Sequence, residues 1–286
     1  MAAGREIKKK IGSIANIRKV TSAMQMVAAS KMRRTQERMR QTRPYAQKIR
    51  AIIGHLAQGN PEYSNQFMNE PDSVANIGYV VISTDKGQCG GLNSNLFRVL
   101  LHEMQEQQDR SIDSQLALIG NKAATFFSSV GGNVIAAVHD IGELPELKEL
   151  IGSIKIVLDQ FVQGAVQRVN VVANTFVNSM TQRPVIRQLL PLTKTEDLTS
   201  QYWDYIYEPE ANLLIDGLIQ RYIESQIYQA VIENVACEQS ARMIAMKNAT
   251  DNADNMIDEL NLLYNNVRQA SITQEIAEIV GGAAAT

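Results

Sequence analysis

The stretch most able to do chemistry is STDKGQCGGLN (Ser83–Asn93). Glycines after a predicted strand could bring backbone amides up to a phosphate, with the first turn of the next helix behind them. The stretch matches neither GxxxxGK[ST] nor GxGxxG, and it lacks the Lys-[ST] pair that grips a triphosphate and its metal. On local grounds it reads as an ordinary strand-to-helix turn. The three histidines, His55, His102 and His139, share no metal-ligand spacing. Cys89 and Cys237 lie far apart and form no CxxC pair, so they read as reduced thiols of a cytosolic protein. No nucleophile elbow or HExxH occurs. Acidic pairs such as Glu208/Glu210 flank a predicted helix start, where carboxylates suit the helix dipole in any case. These residues offer no catalytic group, no metal site and no cofactor site.

The elements that would have to position such residues are unusual. Residues 3 to about 58 read as one long helix, with Pro44 as a candidate bend. Ile7, Ile11, Ile14 and Ile17 mark its apolar stripe, extended by Val20, Met24 and Val27. At the α-helical rise this rod is about 80 Å long. Gly59, Asn60 and Pro61 stop it. Inside it, KVTSAMQMVAASKMRR (Lys19–Arg34) passes abruptly from small apolar residues into a cationic run that continues through Arg38, Arg40 and Arg43.

The middle of the chain changes period. IGYVVIST (Ile77–Thr84), LALIG (Leu116–Gly120), NVIAAV (Asn133–Val138), RVNVVANTFV (Arg168–Val177) and PVIRQLLPL (Pro184–Leu192) read as strands. Helices are predicted from Asn93 to about Gln108 and within Glu146–Gln163. Strands alternating with helices predict a compact α/β domain over 75–195.

A second rod follows. Pro209 suits a first helical turn, no proline comes after it, and Gly217 is the only glycine before Val280. Ala249, Met256, Leu260, Leu263, Val267 and Ala270 follow heptad spacing, so this helix of about 105 Å needs a partner.

Charge supplies the partner. Residues 1–50 hold 14 Lys+Arg against 2 acids, whereas Pro209–Val280 holds 11 acids against 4 basic residues. Such asymmetry fits either a nucleic-acid arm or an intramolecular electrostatic partner. Two rods of opposite charge, each with a seam, favour an antiparallel hairpin, since neither buries its stripe alone. A domain of about 120 residues, roughly 30 Å across, is too small to cover either rod. The fold class is therefore α/β: a long antiparallel coiled coil of N- and C-terminal helices (1–58 and 209–286) with an inserted Rossmann-like α/β domain. No apolar run is long enough for a membrane span. MAAGREIKKK lacks a signal peptide's apolar stretch and is too short for a transit peptide ahead of a helix.

Two segments remain. YWDYIYEP (Tyr202–Pro209) holds the only tryptophan and reads either as a small core or as a contact surface. RQASITQEIAEIVGGAAAT (Arg268–Thr286) closes the longer rod with small and apolar residues, and no domain follows to cover them. It reads as a frayed tail or as a tip held in an apolar sleeve of other chains.

IKKKIGSIANIRKVTSAMQMVAASKMRR, STDKGQCGGLNSNL, YWDYIYEP and ARMIAMKNATDNA…LNLLYNNVRQASITQEIAEIVGGAAA resemble the gamma subunit of F-type ATP synthases over essentially the whole chain, and the even fit through the middle suggests a bacterial member. The chain departs from the family pattern at Ile17 (usually Thr), Gln88 (often Leu) and Cys237 (often Ser). The resemblance implies a non-catalytic central shaft standing in a ring of alpha and beta subunits. Its foot would rest on the c-subunit ring beside the epsilon subunit, peripheral to the cytoplasmic face of a bacterial inner membrane. It implies head contacts at Met24, Arg268, Gln269, Thr273, Glu275 and Glu278, and foot contacts at Tyr205, Tyr207 and Glu208. It implies no cofactor, no nucleic acid and no membrane insertion. Two other readings compete: a basic-helix nucleic-acid binder, which ignores the acidic half, and a nucleotide-dependent enzyme on the α/β domain, which lacks a phosphate motif.

Overall fold

The computed structural model describes residues 2–59, 67–69, 71, 73–143, 145–192 and 211–284. Ten elements follow in order: α1 (Ala2–Gly59), β1 (Asn76–Ile82), α2 (Leu92–Asp109), β2 (Asp113–Ile119), α3 (Asn121–Val130), β3 (Val134–Val138), α4 (Leu147–Val162), β4 (Arg168–Phe176), β5 (Gln182–Leu190) and α5 (Ala211–Ala284). The chain divides into two compact units, Met1–Ser30 with Arg242–Thr286, and Lys31–Ala241.

In the second unit the sheet order is β3-β2-β1-β4-β5. The first four strands are parallel and β5 is antiparallel to β4. Parallel strands are covered on both faces, which is why β1 reads as a continuous apolar run. Its side chains alternate between two cores. Ile77, Tyr79 and Val81 pack with Leu116, Leu118 and Val172 beneath Leu96 and Leu100 of α2 and Phe127 of α3. Val80 and Ile82 pack with Ile119 and Val171 beneath Ile154 and Val157 of α4. Ile49 of α1 and Ile219, Ile223 and Ile227 of α5 join this second core, so both long helices are fastened to the sheet. Each such side chain contributes about 1.5–3 kcal/mol on burial.

Helix α3 was not expected from sequence. NKAATFFSSV is only ten residues long, and its apolar residues sit among Ser, Thr and Asn. Two glycines bound it. A Cβ on Gly120 (φ 98°) would lie 2.7 Å from the Ser83 carbonyl oxygen, and Gly131 (φ 81°) ends the helix in the left-handed conformation.

In the first unit, α1 and α5 run antiparallel. The Gly4 backbone lies against the Tyr264 ring, Arg18 Nε meets Asp254 Oδ1 at 3.0 Å, and the Thr21 and Thr250 hydroxyls are 2.8 Å apart. The seam differs from the stripe expected from sequence. After Ile7, Ile11 and Ile14 it passes through Arg18, buried Thr21, Gln25 and buried Ala28, while Ile17 (55% exposed), Val20 and Val27 face outward. Steps of three from Ile14 to Ile17 to Val20 drift around the helix, whereas alternating steps of four and three stay on one face. On α5 the same correction holds. Met246, Thr250, Ala253, Ile257, Leu260, Tyr264 and Val267 turn inward, and Met256, Leu263 and Ala270 are exposed.

Candidate functional site

In a doubly wound sheet, ligands enter at the carboxyl ends of the strands where the strand order reverses. Here that point lies between β1 and β4, and α5 fills it. Asn234, 1% exposed, donates from Nδ2 to the Ser83 carbonyl just after β1 (3.2 Å) and accepts from Asn174 Nδ2 on β4 (3.0 Å). Glu233 Oε1 accepts the Phe176 backbone N–H at 3.0 Å, and the Cys237 thiol donates to the Asn174 carbonyl at 3.4 Å. Burial, with the Glu233 carboxylate nearby, holds that thiol well above its usual pKa range, so it stays protonated and poorly nucleophilic.

The glycine-rich turn is likewise tied to its own chain. Asn93 Nδ2 donates to Thr84 Oγ1 at 2.7 Å, and Thr84 Oγ1 donates to the Lys86 carbonyl at 2.7 Å. Asp85 accepts from the Asn121 backbone N–H through Oδ1 and from Gly142 N–H through Oδ2, each at 3.1 Å. A carboxylate set among backbone donors occupies the place that an incoming phosphate would need. The turn braces β1 against the starts of α3 and of the segment after β3. Gln88 adopts φ 63° and Gly90 φ 59° to make it.

The basic stretch of α1 is engaged within the chain. Lys31 pairs with Glu143, and Arg38 donates to the Tyr228 hydroxyl at 2.9 Å and to the Pro145 carbonyl at 3.3 Å. With Arg18 on Asp254, these contacts meet the expectation of an internal acidic answer only in part. Glu143 belongs to the segment between β3 and α4, not to α5.

The contact residues expected from sequence fall in several places. Met24 is half-buried on α1, next to the exposed apolar patch Val20, Met26 and Val27. Arg268, Gln269, Thr273, Glu275 and Glu278 are all exposed on one stretch of α5. Tyr264 lies level with Gly4, so Arg268 begins one turn further along, and the rest of this stretch runs on beyond it. Thr273 Oγ1 donates back to the Gln269 carbonyl at 2.9 Å, and Gln274 Nε2 donates to Glu278 Oε1 at 3.0 Å. On the same stretch Ile272, Ile276, Ile279 (71% exposed) and Val280 stand in solvent. Tyr205, Tyr207 and Glu208 lie outside the described residues. Asp85, Asn174, Glu233 and Asn234 escaped the sequence reading. The signal was present in IENVACEQS (Ile232–Ser240), where Asn234, Gln239 and Ser240 interrupt an otherwise apolar helix face.

A sequence model of the ATP synthase family matches residues 3–286. The chain belongs to the gamma family of F-type ATP synthases. Members of this family are non-catalytic rotor subunits, so neither an enzyme on the α/β domain nor a nucleic-acid binder retains support. The fold agrees with solved structures. The chain is similar to one from the Euglena gracilis mitochondrial ATP synthase OSCP/F1/c-ring complex (TM-score 0.70, 18% identity, covering 99% of this chain and 94% of that one). A chain of the rotor of the same enzyme gives TM-score 0.64 at 19% identity, covering 95% and 99%. One from the Tetrahymena thermophila mitochondrial central stalk and c-ring gives 0.60 at 24%, covering 80% and 99%. Among the described residues no helix is long and apolar enough to cross a membrane.

Proposed function

We propose that this chain is the central shaft that couples proton-driven rotation of a c-subunit ring to ATP synthesis and hydrolysis at beta subunits. The observation that carries the reading is the far end of α5. It bears Ile272, Ile276, Ile279 and Val280 in the open, and no described residue packs over them. An isolated soluble helix rarely keeps such a face bare, whereas a tip inside a ring of alpha and beta subunits has it covered. Arg268, Gln269, Thr273, Glu275 and Glu278 supply polar contacts to that head, and Met24 lies where the shaft turns against it. Met is soft and makes no directional bond, which suits a sliding surface. Residues 1–58 and 209–286 form the shaft and 75–195 a domain beside it. Tyr205, Tyr207 and Glu208 form the foot, against the c ring and the epsilon subunit. The assembly is peripheral to the cytoplasmic face of a bacterial inner membrane.

A shaft that presents different side chains to three chemically identical sites biases each differently as it turns, and differential contact is what shifts an equilibrium. The test is crosslinking in the native complex. Cysteines at positions 205, 207 and 208 should join to c or epsilon subunits and not to alpha or beta. The reverse pattern would put the other end of the shaft at the membrane.

A further inference from the structure

A groove of about 850 Å³ opens between α2 and α3 beside the glycine-rich turn. Its floor is apolar: Phe97 and Phe126 stack with ring centroids 4.8 Å apart, and Leu101 continues the surface along α2. Its rim carries Arg98, His102 and Lys122, and no Asp or Glu lines it. Arg98 and Lys122 are exposed, and neither forms an ion pair with a described residue. The nearest acids along α2 lie outside the lining and are engaged: Glu103 accepts from Gln107 Nε2 at 2.8 Å, and Glu106, one turn from His102, pairs with it at 3.3 Å. The lining comes from two helices and a turn and from no strand, so no backbone edge is offered for strand addition.

We propose that this groove docks an acidic amphipathic helix of a partner protein. An apolar stripe at i, i+3, i+4 and i+7 would lie on Phe97, Leu101 and Phe126, and carboxylates flanking it would meet Arg98 and Lys122. Charge complementarity selects this occupant. A basic or neutral helix could use the floor but would leave two exposed cations unanswered, and a bare anion would gain nothing from the aromatic floor. No residue of α1 or α5 lines the groove, so the proposal does not rest on the shaft reading.

The probe is a fluorescein-labelled helix of about 18 residues, five turns, with Leu on one face and Glu on the other. It is titrated against the full chain by fluorescence anisotropy. The same composition scrambled, and the same helix with Lys for Glu, serve as controls. The acidic amphipathic helix should bind saturably and both controls should not. Arg98→Glu combined with Lys122→Glu should weaken binding about tenfold or more, as expected when attraction becomes repulsion. Thr125→Trp, which narrows the groove without changing charge, should abolish binding. All these positions are exposed, and unchanged helical circular dichroism certifies the fold. In the native complex, a photo-crosslinker at Thr125 should yield an adduct within an acidic helical segment. The proposal is overturned if either control binds as well as the probe, if the charge reversal leaves affinity unchanged, or if the adduct is absent or lies on a basic or β-strand surface. It is also overturned if phosphatidylglycerol vesicles bind through Arg98 and Lys122 more tightly than the helix does.

Discussion

Asn234 sits on a helix face where its neighbours Val231, Val235 and Cys237 are buried, yet its amide is spent bridging two strand ends. An apolar side chain there would strand the Asn174 amide and the Ser83 carbonyl in a buried site. Each orphaned group costs about 1–3 kcal/mol. Asn234→Leu should therefore lower the thermal midpoint by several degrees, read by circular dichroism, although it adds apolar bulk to a core. No change in the midpoint would mean that the amide ties are dispensable. On the proposed bearing surface Met24 would work in the opposite way, its value lying in bonding to nothing in particular. Met24→Glu should leave the fold intact and lower ATP-driven proton pumping relative to hydrolysis. A new charge beside the turning head costs about 1–3 kcal/mol at some angles and not at others. Pumping per ATP that stays normal over a range of temperatures would remove Met24 from the bearing surface.

Among the elements, the two long helices and the five strands announced themselves through period, length and punctuation. Pro209, the absence of later prolines and the isoleucines of α1 needed no tertiary knowledge. What failed was the choice of face. Ile17 and Val20 look like seam residues because they are β-branched and apolar, but the seam is fixed by the partner, and it runs through Arg18 and Thr21 because Asp254 and Thr250 answer them. A pattern reading places apolar residues inward and so puts this stripe on the wrong side. Helix α3 failed for a related reason: its ten residues are too short a run to show a helical period, and the meaning of its phenylalanines comes from Phe97 across the groove. Asn234 stands out in sequence only as a polar break in an apolar face; its bridging role is illegible there because its partners lie 60 and 151 residues away. The far end of α5 also carries a prediction. On the proposed head contact, Gln269→Leu and Thr273→Val should lower ATP hydrolysis by the assembled head or impair its assembly, because two polar side chains one turn apart can face one partner. Thr273→Val also removes a bond within the helix, so helicity of the free chain must be compared. Deleting only 281–286 should be milder, because five of those six residues are Gly or Ala. Equal and negligible effects from all three changes would leave these residues as solvated surface.

For the molecule as a whole, the net charge of −2 conceals a basic first fifth and an acidic remainder, and the two are used against each other within the chain. Family membership and the filled crevice agree on a negative property. The purified chain should neither hydrolyse ATP nor bind it tightly, and titration calorimetry that reveals a micromolar ATP site on this subunit alone would contradict both. The filled crevice also has a mechanical meaning. Where α5 crosses the strand ends, it is held by an amide bridging both strands, a carboxylate on a backbone N–H and a thiol on a carbonyl, all directional. A greasy contact would let a helix roll about its own axis under torsion, since dispersion is indifferent to angle. Bonds that fail when a donor swings a few tens of degrees resist rolling, as a key in its slot stops a hub from slipping on an axle. A sheet of the kind that elsewhere cradles cofactors is locked here against twist, and a load applied through the α/β part of the chain reaches α5 without slack.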